Sequence, residues 1–192
     1  MKILAIIPAR GGSKRLKRKN IRDVLGKPMI SYAIEACQKS SYNIECYVSS
    51  EDEEIKNIAL NLGAKIHHRN SKLSDDKTYK QLVIADAVKT ICSDREVKPD
   101  LVISLQPNSP EILSKHINEA IDTKLKFGIK EIFTVDENLM QNGAFRIMDY
   151  DTVFLETLSM YCGVFICDLL DVHTEEDLDM AEKNIARQSN EN

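Results

Sequence analysis

The sequence predicts an α/β protein with three layers, α/β/α, around a mostly parallel sheet. Three observations predict it. Short apolar runs alternate with amphipathic stretches of helix length along nearly the whole chain. The runs at 3–8 and 101–105 are apolar on both alternating faces, as strands covered from both sides are. Strand followed by helix, repeated, is the pattern of a parallel sheet with helices over its faces. At 192 residues the chain has room for one well-buried domain, and 1–192 is expected to be that unit.

The elements follow in order. Residues 3–8 read as a strand and 28–39 as a helix, with Met29, Ile30, Ala33, Ile34 and Cys37 on one face. A strand at 44–49 precedes a helix at 51–62, whose stripe is Ile55, Ile58, Ala59 and Leu62 and whose end is marked by Gly63. A short strand is expected at 64–68. A helix at 78–91 uses Leu82, Val83, Ala87, Val88 and Ile91. After the strand at 101–105 come a helix at 113–127 and a strand at 131–135. The stretch 136–160 is the least regular. A final strand is expected at 161–166 and a last helix at 174–186. Thr174 is its N-cap, with Glu175, Glu176 and Asp177 in the first turn. Residues 188–192 read as a frayed polar tail.

Composition removes several classes. With 43% hydrophobic and 29% charged residues, the chain is not disordered. No apolar run reaches the roughly 20 residues that cross a bilayer, and the opening residues lack a secretory cleavage pattern, so no membrane partner is expected. Five cysteines, Cys37, Cys46, Cys92, Cys162 and Cys167, form an odd set without a Cys-x-x-Cys pair. They fit reduced thiols in a cytoplasmic protein better than a disulfide frame or a zinc site.

The net charge of −4 is no footprint for nucleic acid, but its distribution is uneven. Between Arg10 and Arg22 lie seven basic residues (Arg10, Lys14, Arg15, Lys17, Arg18, Lys19 and Arg22) and no acidic one. One positive segment on an acidic body points to a local anion site. The absence of interleaved aromatic residues speaks against a nucleic-acid track there. In a parallel sheet, ligands sit beyond the carboxyl ends of the strands. Residues following Pro8, Ser49, Leu105 and Ile166 therefore have a claim on the site.

The first of these loops carries the clearest chemistry. Pro8-Ala9-Arg10-Gly11-Gly12-Ser13-Lys14 follows a buried strand where such sheets cradle phosphate. Gly11 and Gly12 are expected to supply backbone freedom and main-chain amides, Ser13 a hydroxyl donor, and Arg10 and Lys14 charge. The spacing matches neither a dinucleotide-binding fingerprint nor a Walker loop.

The segment from Ile6 through Arg10-Gly11-Gly12-Ser13-Lys14-Arg15-Leu16 to Lys19-Asn20, with Leu25-Gly26-Lys27-Pro28-Met29-Ile30, resembles the opening signature of the acylneuraminate cytidylyltransferases. These are the CMP-sialic acid and CMP-Kdo synthetases. Further stretches resemble the same family: Val48-Ser49-Ser50-Glu51-Asp52, Arg69 through Leu73 to Asp76, Leu105-Gln106-Pro107-Asn108-Ser109-Pro110, and Asp171-Val172-His173-Thr174-Glu175-Glu176-Asp177-Leu178. The resemblance implies a Rossmann-like nucleotidyltransferase sheet. It also implies transfer of CMP from CTP to an acidic sugar (a sialic acid, a related nonulosonic acid or Kdo) with release of pyrophosphate. It assigns Arg10, Ser13 and Lys19 to the triphosphate and Asn20 to base or ribose. Ala9, Gly11, Gly12, Lys14, Arg69 and Asp76 fall on the nucleotide side, and Gln106 between nucleotide and sugar. Arg10, Lys19 and Gln106 are the expected catalytic residues. The partners implied are CTP, a sugar acceptor and a second copy in a homodimer.

The family's metal pair is two aspartates one residue apart, which in extended chain share a face. Asp171 takes the first place and His173 the second. Magnesium is the expected cofactor, yet it prefers oxygen ligands, whereas manganese accepts imidazole. Three readings stay open: a changed metal, one carboxylate working with the triphosphate, or a weakened catalyst that binds nucleotide alone. Two more departures bear on the acceptor. Glu111 and Ile112 stand where the family carries leucine and arginine, and Glu111 would repel a carboxylate at close range. A longer family insertion is shortened here to 136–160, and either Asn142-Gly143-Ala144-Phe145 or the strand at 161–166 can be the strand that follows it. A neutral sugar or an alcohol phosphate is thus the alternative acceptor. His67 and His68, adjacent in a strand, face opposite sides and do not share a metal. His116 has no second ligand one turn on, and no Ser-His-Asp set is legible.

Overall fold

The computed structural model describes residues 1–190 apart from 94 and 97. Seven strands form the main sheet: β1 (Ile3–Pro8), β4 (Ile44–Ser50), β5 (Lys65–His68), β6 (Leu101–Leu105), β7 (Glu131–Val135), β8 (Gln141–Asp149) and β9 (Cys162–Ile166). Their order is β5-β4-β1-β6-β8-β7-β9. β1 pairs in parallel with β4 and β6, β4 with β5, and β7 with β9, while β8 runs antiparallel between β6 and β7. A two-stranded ribbon, β2 (Asp23–Val24) and β3 (Lys27–Pro28), turns through Leu25 and Gly26, both at positive φ. Two such residues in sequence make the tight turn that a hairpin requires.

Helices cover the sheet as its apolar alternation demands. α1 (Ile30–Gln38), α2 (Glu53–Asn61) and α4 (Ser114–Phe127) pack on the face carrying Ile3, Ala5 and Ile7 of β1. The opposite face, carrying Leu4 and Ile6, is covered by α3 (Lys80–Cys92) and a 3-10 turn at Tyr150–Phe154. β1 is thus sandwiched, which explains its unbroken apolar run. Each large aliphatic side chain fully buried there contributes about 1.5–3 kcal/mol of transfer free energy. α5 (Glu175–Asn190) lies on the ribbon, where Leu178 and Ala181 meet Leu16, Val24 and Met29.

The expected strands and helices are present, with ends shifted by one or two residues in most of them. Three differences are larger. The stretch 136–160, expected to be irregular, holds nine-residue β8 in the middle of the sheet. Residues 142–145 lie in β8 and residues 162–166 form β9, so the two candidate segments are separate strands. The expected tail from 188 is helical through Asn190, and residues 191 and 192 lie outside those described. His67 and His68 do face opposite ways. His67 is buried with Nδ1 3.0 Å from Ser49 Oγ, while His68 is exposed near Lys56. His116 Nδ1 accepts from the Leu113 amide at 3.2 Å, a role at the start of α4. The five cysteines are free thiols, and no described helix is long and apolar enough to cross a membrane.

Candidate functional site

A cleft of about 550 Å³ opens at the carboxyl ends of β1, β5 and β6, where strand order reverses around β1. Pro8, Arg10, Ser13, Lys14, Lys19 and Asn20 line it from the loop after β1. Arg69, Asp76 and Lys80 enter from the β5–α3 connection, Gln106 and Asn108 from the loop after β6, and His173 from the segment before α5.

The first loop is held by its ends. Ala9, fully buried, donates its amide to Ser49 O at 3.0 Å, and buried Asn20 donates Nδ2 to Arg10 O at 2.9 Å. Asn20 Oδ1 is buried without a hydrogen-bond partner. The glycines differ from expectation. Neither Gly11 nor Gly12 has a positive φ. Gly11 is needed for close approach, because a Cβ there would sit 2.2 Å from Asp52 Oδ2. Its amide is donated to Glu51 Oε1 at 2.9 Å, and the Ser13 amide turns back to Gly11 O at 3.0 Å. Gly12 meets nothing within 4 Å. Cationic side chains, more than main-chain amides, give this loop its positive face.

Three of the seven cations are neutralised. Arg18, at φ 59°, pairs with Asp52 at 2.6 Å and with Glu54. Arg22 pairs with Glu175 at 2.8 Å, and Lys14 with Asp76 across the cleft mouth. Arg10, Arg15 and Lys19 face the cleft without a carboxylate ion pair among the described residues. Burial pulls the Lys19 ammonium below its ordinary value, with Asp171 opposing and Arg10 and Arg15 assisting.

On the other wall Arg69 is buried and anchored to the end of β4. It donates Nη2 to Ser49 O at 2.5 Å and Nε to Ser49 Oγ at 3.3 Å, and Glu51 lies 3.9 Å away. The Gln106 backbone amide is fixed by Ala144 O at 2.9 Å, leaving its side chain toward Gly143.

Asp171 and His173 come together as the one-residue spacing requires. His173 Nε2 lies 3.1 Å from Asp171 Oδ2, and Lys19 Nζ lies 3.4 Å from His173 Nδ1. An ammonium only donates, so Nδ1 accepts and Nε2 carries the proton that is donated to Asp171. Asn108 Nδ2 donates to the other Asp171 oxygen and, at 3.0 Å, to Val172 O. Burial pushes the Asp171 carboxyl up, against the pull of His173 and Lys19. Asp177 accepts from the His173 and Thr174 amides at 2.8 and 2.9 Å, and its own amide donates to Thr174 Oγ1 at 3.2 Å. That reciprocal cap starts α5 and fixes the backbone of the pair.

Among the described residues no group of three His, Cys, Asp or Glu side chains could hold a metal ion. Magnesium needs no such cage; one or two carboxylates and substrate phosphates suffice. Asp171 fits that requirement, whereas His173, with both ring nitrogens engaged, does not.

Glu111 departs from the sequence expectation. It is buried away from the cleft, accepting from Asn184 at 2.8 Å and from the Leu170 amide at 3.4 Å. Ile112 is buried beside it in the core. Two cleft residues escaped the sequence reading. Asn108 stitches the β6 loop to the Asp171 segment, and Lys80 opens α3. Lys80 follows β5, a strand end outside the four that the sequence sets at the site.

Fold and cleft define a class: α/β proteins with a cationic ligand cleft at the switch point of a mostly parallel sheet. Residues 4–159 match the family model described as cytidylyltransferase, and the chain belongs to that family. A pseudaminic acid cytidylyltransferase of Campylobacter jejuni is 41% identical over 138 residues, 71% of this chain and 59% of that protein. A CMP-N,N'-diacetyllegionaminic acid synthase of Legionella pneumophila is 37% identical over 129 residues, 64% of this chain and 53% of that protein. The chain thus spans less than two thirds of the length of these curated relatives. A solved CMP:2-keto-3-deoxy-manno-octonic acid synthetase complexed with CTP shares the fold, with a TM-score of 0.74 at 15% identity over 98% of this chain and 100% of that one.

Proposed function

We propose that the protein is a nucleotidyltransferase that moves CMP from CTP to an acidic sugar and releases pyrophosphate. The observation that carries this reading is the cleft's unneutralised cationic wall, Arg10, Arg15 and Lys19, beside the buried, unpartnered Oδ1 of Asn20. A triphosphate supplies charge for the cations, and a ribose hydroxyl or a cytosine amino group supplies the donor that Asn20 lacks.

In this reading the sugar's anomeric hydroxyl attacks the α-phosphorus, the new P–O bond forms as the bond to pyrophosphate breaks, and the hydroxyl proton is released. Arg10 and Lys19 stabilise the negative charge on the phosphoryl and leaving oxygens, Ser13 and Lys14 hold the triphosphate, and Gln106 orients the acceptor. Ala9, Gly11 and Gly12 shape the loop, Arg69 supports the nucleotide side through β4, and Asp76 restrains Lys14. Asp171 with phosphate oxygens would hold a divalent cation, magnesium first and manganese second, which supplies Lewis-acid charge neutralisation when bound. His173 orients Asp171 through Nε2–H. The reading extends to one domain, 1–192, in the cytoplasm and to a homodimer. The apolar row of Met160, Tyr161, Val164 and Ile166, exposed along edge strand β9, supports the last point. Nucleic acid is not part of it.

Pyrophosphate release from CTP with nonulosonic acids and Kdo, under magnesium or manganese, tests the proposal. Arg10→Ala and Lys19→Ala should each lower kcat/KM by about 10²–10³. Absence of turnover with every acid sugar refutes it. CTP binding without pyrophosphate release would favour the alternative, a nucleotide-binding homologue without catalysis. The one structural observation on its side is that both Asp171 oxygens already accept hydrogen bonds.

A further inference from the structure

Lys80 is a cleft cation that the proposed mechanism does not use. Its ammonium lines the cleft yet forms no hydrogen bond or ion pair with another described residue. The cation that acts on it, Arg146, is engaged, donating to Glu131 and to Gln81. Holding an unpaired ammonium in a half-buried site costs stability, and an anionic ligand would offset that cost.

The place of Lys80 suggests which anion. Its Nζ lies 3.9 Å, and Gln106 Nε2 3.6 Å, from the position a Cβ would take on Gly143. Two donors therefore converge over one glycine of β8, where no side chain fills the space. The start of α3, which has no side-chain cap, adds its positive end to the same region. In the sheet, β6 and β8 lie on one side of β1, and β5, which leads to Arg69, lies on the other. A nucleotide that spans Arg69, Asn20 and the β1 loop leaves the β6–β8 side for its reaction partner. Burial pulls the Lys80 ammonium below its ordinary value, with Asp171 opposing and Arg146 assisting. Glu111, the acid that the sequence set against a carboxylate here, is turned into α5.

We propose that Lys80, together with the Gln106 side-chain amide, binds the carboxylate of the sugar acceptor and so selects acidic over neutral sugars. This rests on the cytidylyltransferase reading above and assigns the acceptor subsite within it. A charge-assisted hydrogen bond of this kind changes affinity by roughly tenfold to a hundredfold.

The test is steady-state pyrophosphate release by wild type, Lys80→Met and Lys80→Arg, with N-acetylneuraminic acid, Kdo and their methyl esters as acceptor probes. Calorimetric CTP binding runs alongside as a control for folding. Lys80→Met should raise KM for the free acids about ten- to a hundredfold. It should leave the KM and Kd for CTP within about twofold and abolish the preference for acid over ester. Lys80→Arg should restore part of that preference. If Lys80→Met loses CTP binding through misfolding, Lys80→Gln carries the same comparison. An unchanged acceptor KM, or a rise confined to the KM for CTP, overturns the Lys80 assignment and leaves the cytidylyltransferase reading standing. A wild type that turns over no acid sugar overturns both.

Discussion

His173 shows how a substitution in a motif becomes legible only through its neighbours. The sequence placed it beside Asp171 and left its role open among three readings. The structure adds Lys19 on one ring nitrogen and Asp171 on the other, so the imidazole links a cation to a carboxylate. Replacing it by aspartate would set two carboxylates side by side, a repulsion that a bound divalent ion relieves. His173→Asp should therefore raise apparent magnesium affinity several-fold and lower stability in the absence of metal by about 1 kcal/mol. Metal titration followed by thermal shift reads both. Unchanged magnesium affinity would place position 173 outside any metal site. The motif residues Arg10, Lys19, Asn20, Arg69 and Gln106 were legible from local order and converge on one cleft. Lys80 was not, because nothing local separates a lysine that opens a helix from any surface lysine; only its missing partner and its position over Gly143 do.

At the scale of elements, the loop after β1 depends on a contact that its own residues do not encode. Glycine at position 11 admits Asp52, which accepts from Arg18 and caps α2 by accepting from the Ile55 amide at 3.0 Å. The loop and α2 are therefore one construction. Gly11→Ala must move Asp52 or the loop, loosening both the cap and the Arg18 pair, at a cost of about 1–3 kcal/mol. CTP affinity should fall with it, as Arg10 and Lys19 lose their fixed spacing. Gly12→Ala, with open space around it, should leave both stability and affinity nearly unchanged. Equal effects from the two substitutions would refute the packing argument. Strand β8 was hidden for a related reason. Gly143 and Arg146 interrupt its apolar alternation. Arg146 is nevertheless half-buried in the sheet because Glu131, fully buried on neighbouring β7, neutralises it. That compensation lies 15 residues away in sequence, beyond the reach of a local pattern. β1 and β6, buried on both faces, announced themselves without such help.

For the molecule as a whole, the 30 acidic residues make low pH the natural stress, and one carboxylate isolates the effect. Glu45, on β4, meets Arg95 at 2.7 Å and Lys65 at 2.6 Å, joining the β4–β5 edge to the segment that leads into β6. Burial pushes the Glu45 carboxyl up, but the hydrogen bonds and charges of Arg95 and Lys65 outweigh burial and hold it at about 2. A carboxyl whose folded value lies below its unfolded value contributes stability above the unfolded pKa. That contribution is lost as pH falls from about 4.5 toward 2. Full linkage would be worth about 3 kcal/mol, and solvent screening at this part-exposed cluster reduces it to about 1–2 kcal/mol. Urea unfolding of wild type and Glu45→Gln at pH 7, 5, 4 and 3 should therefore show a destabilised variant at neutral pH. The gap should narrow steadily below pH 4.5 as the wild type loses its ion pairs and the variant has none to lose. A gap that stays constant across the series would mean that the cluster adds packing and no linked charge, and that acid sensitivity resides elsewhere, in carboxylates such as Asp52 and Asp177, whose values their hydrogen bonds also depress.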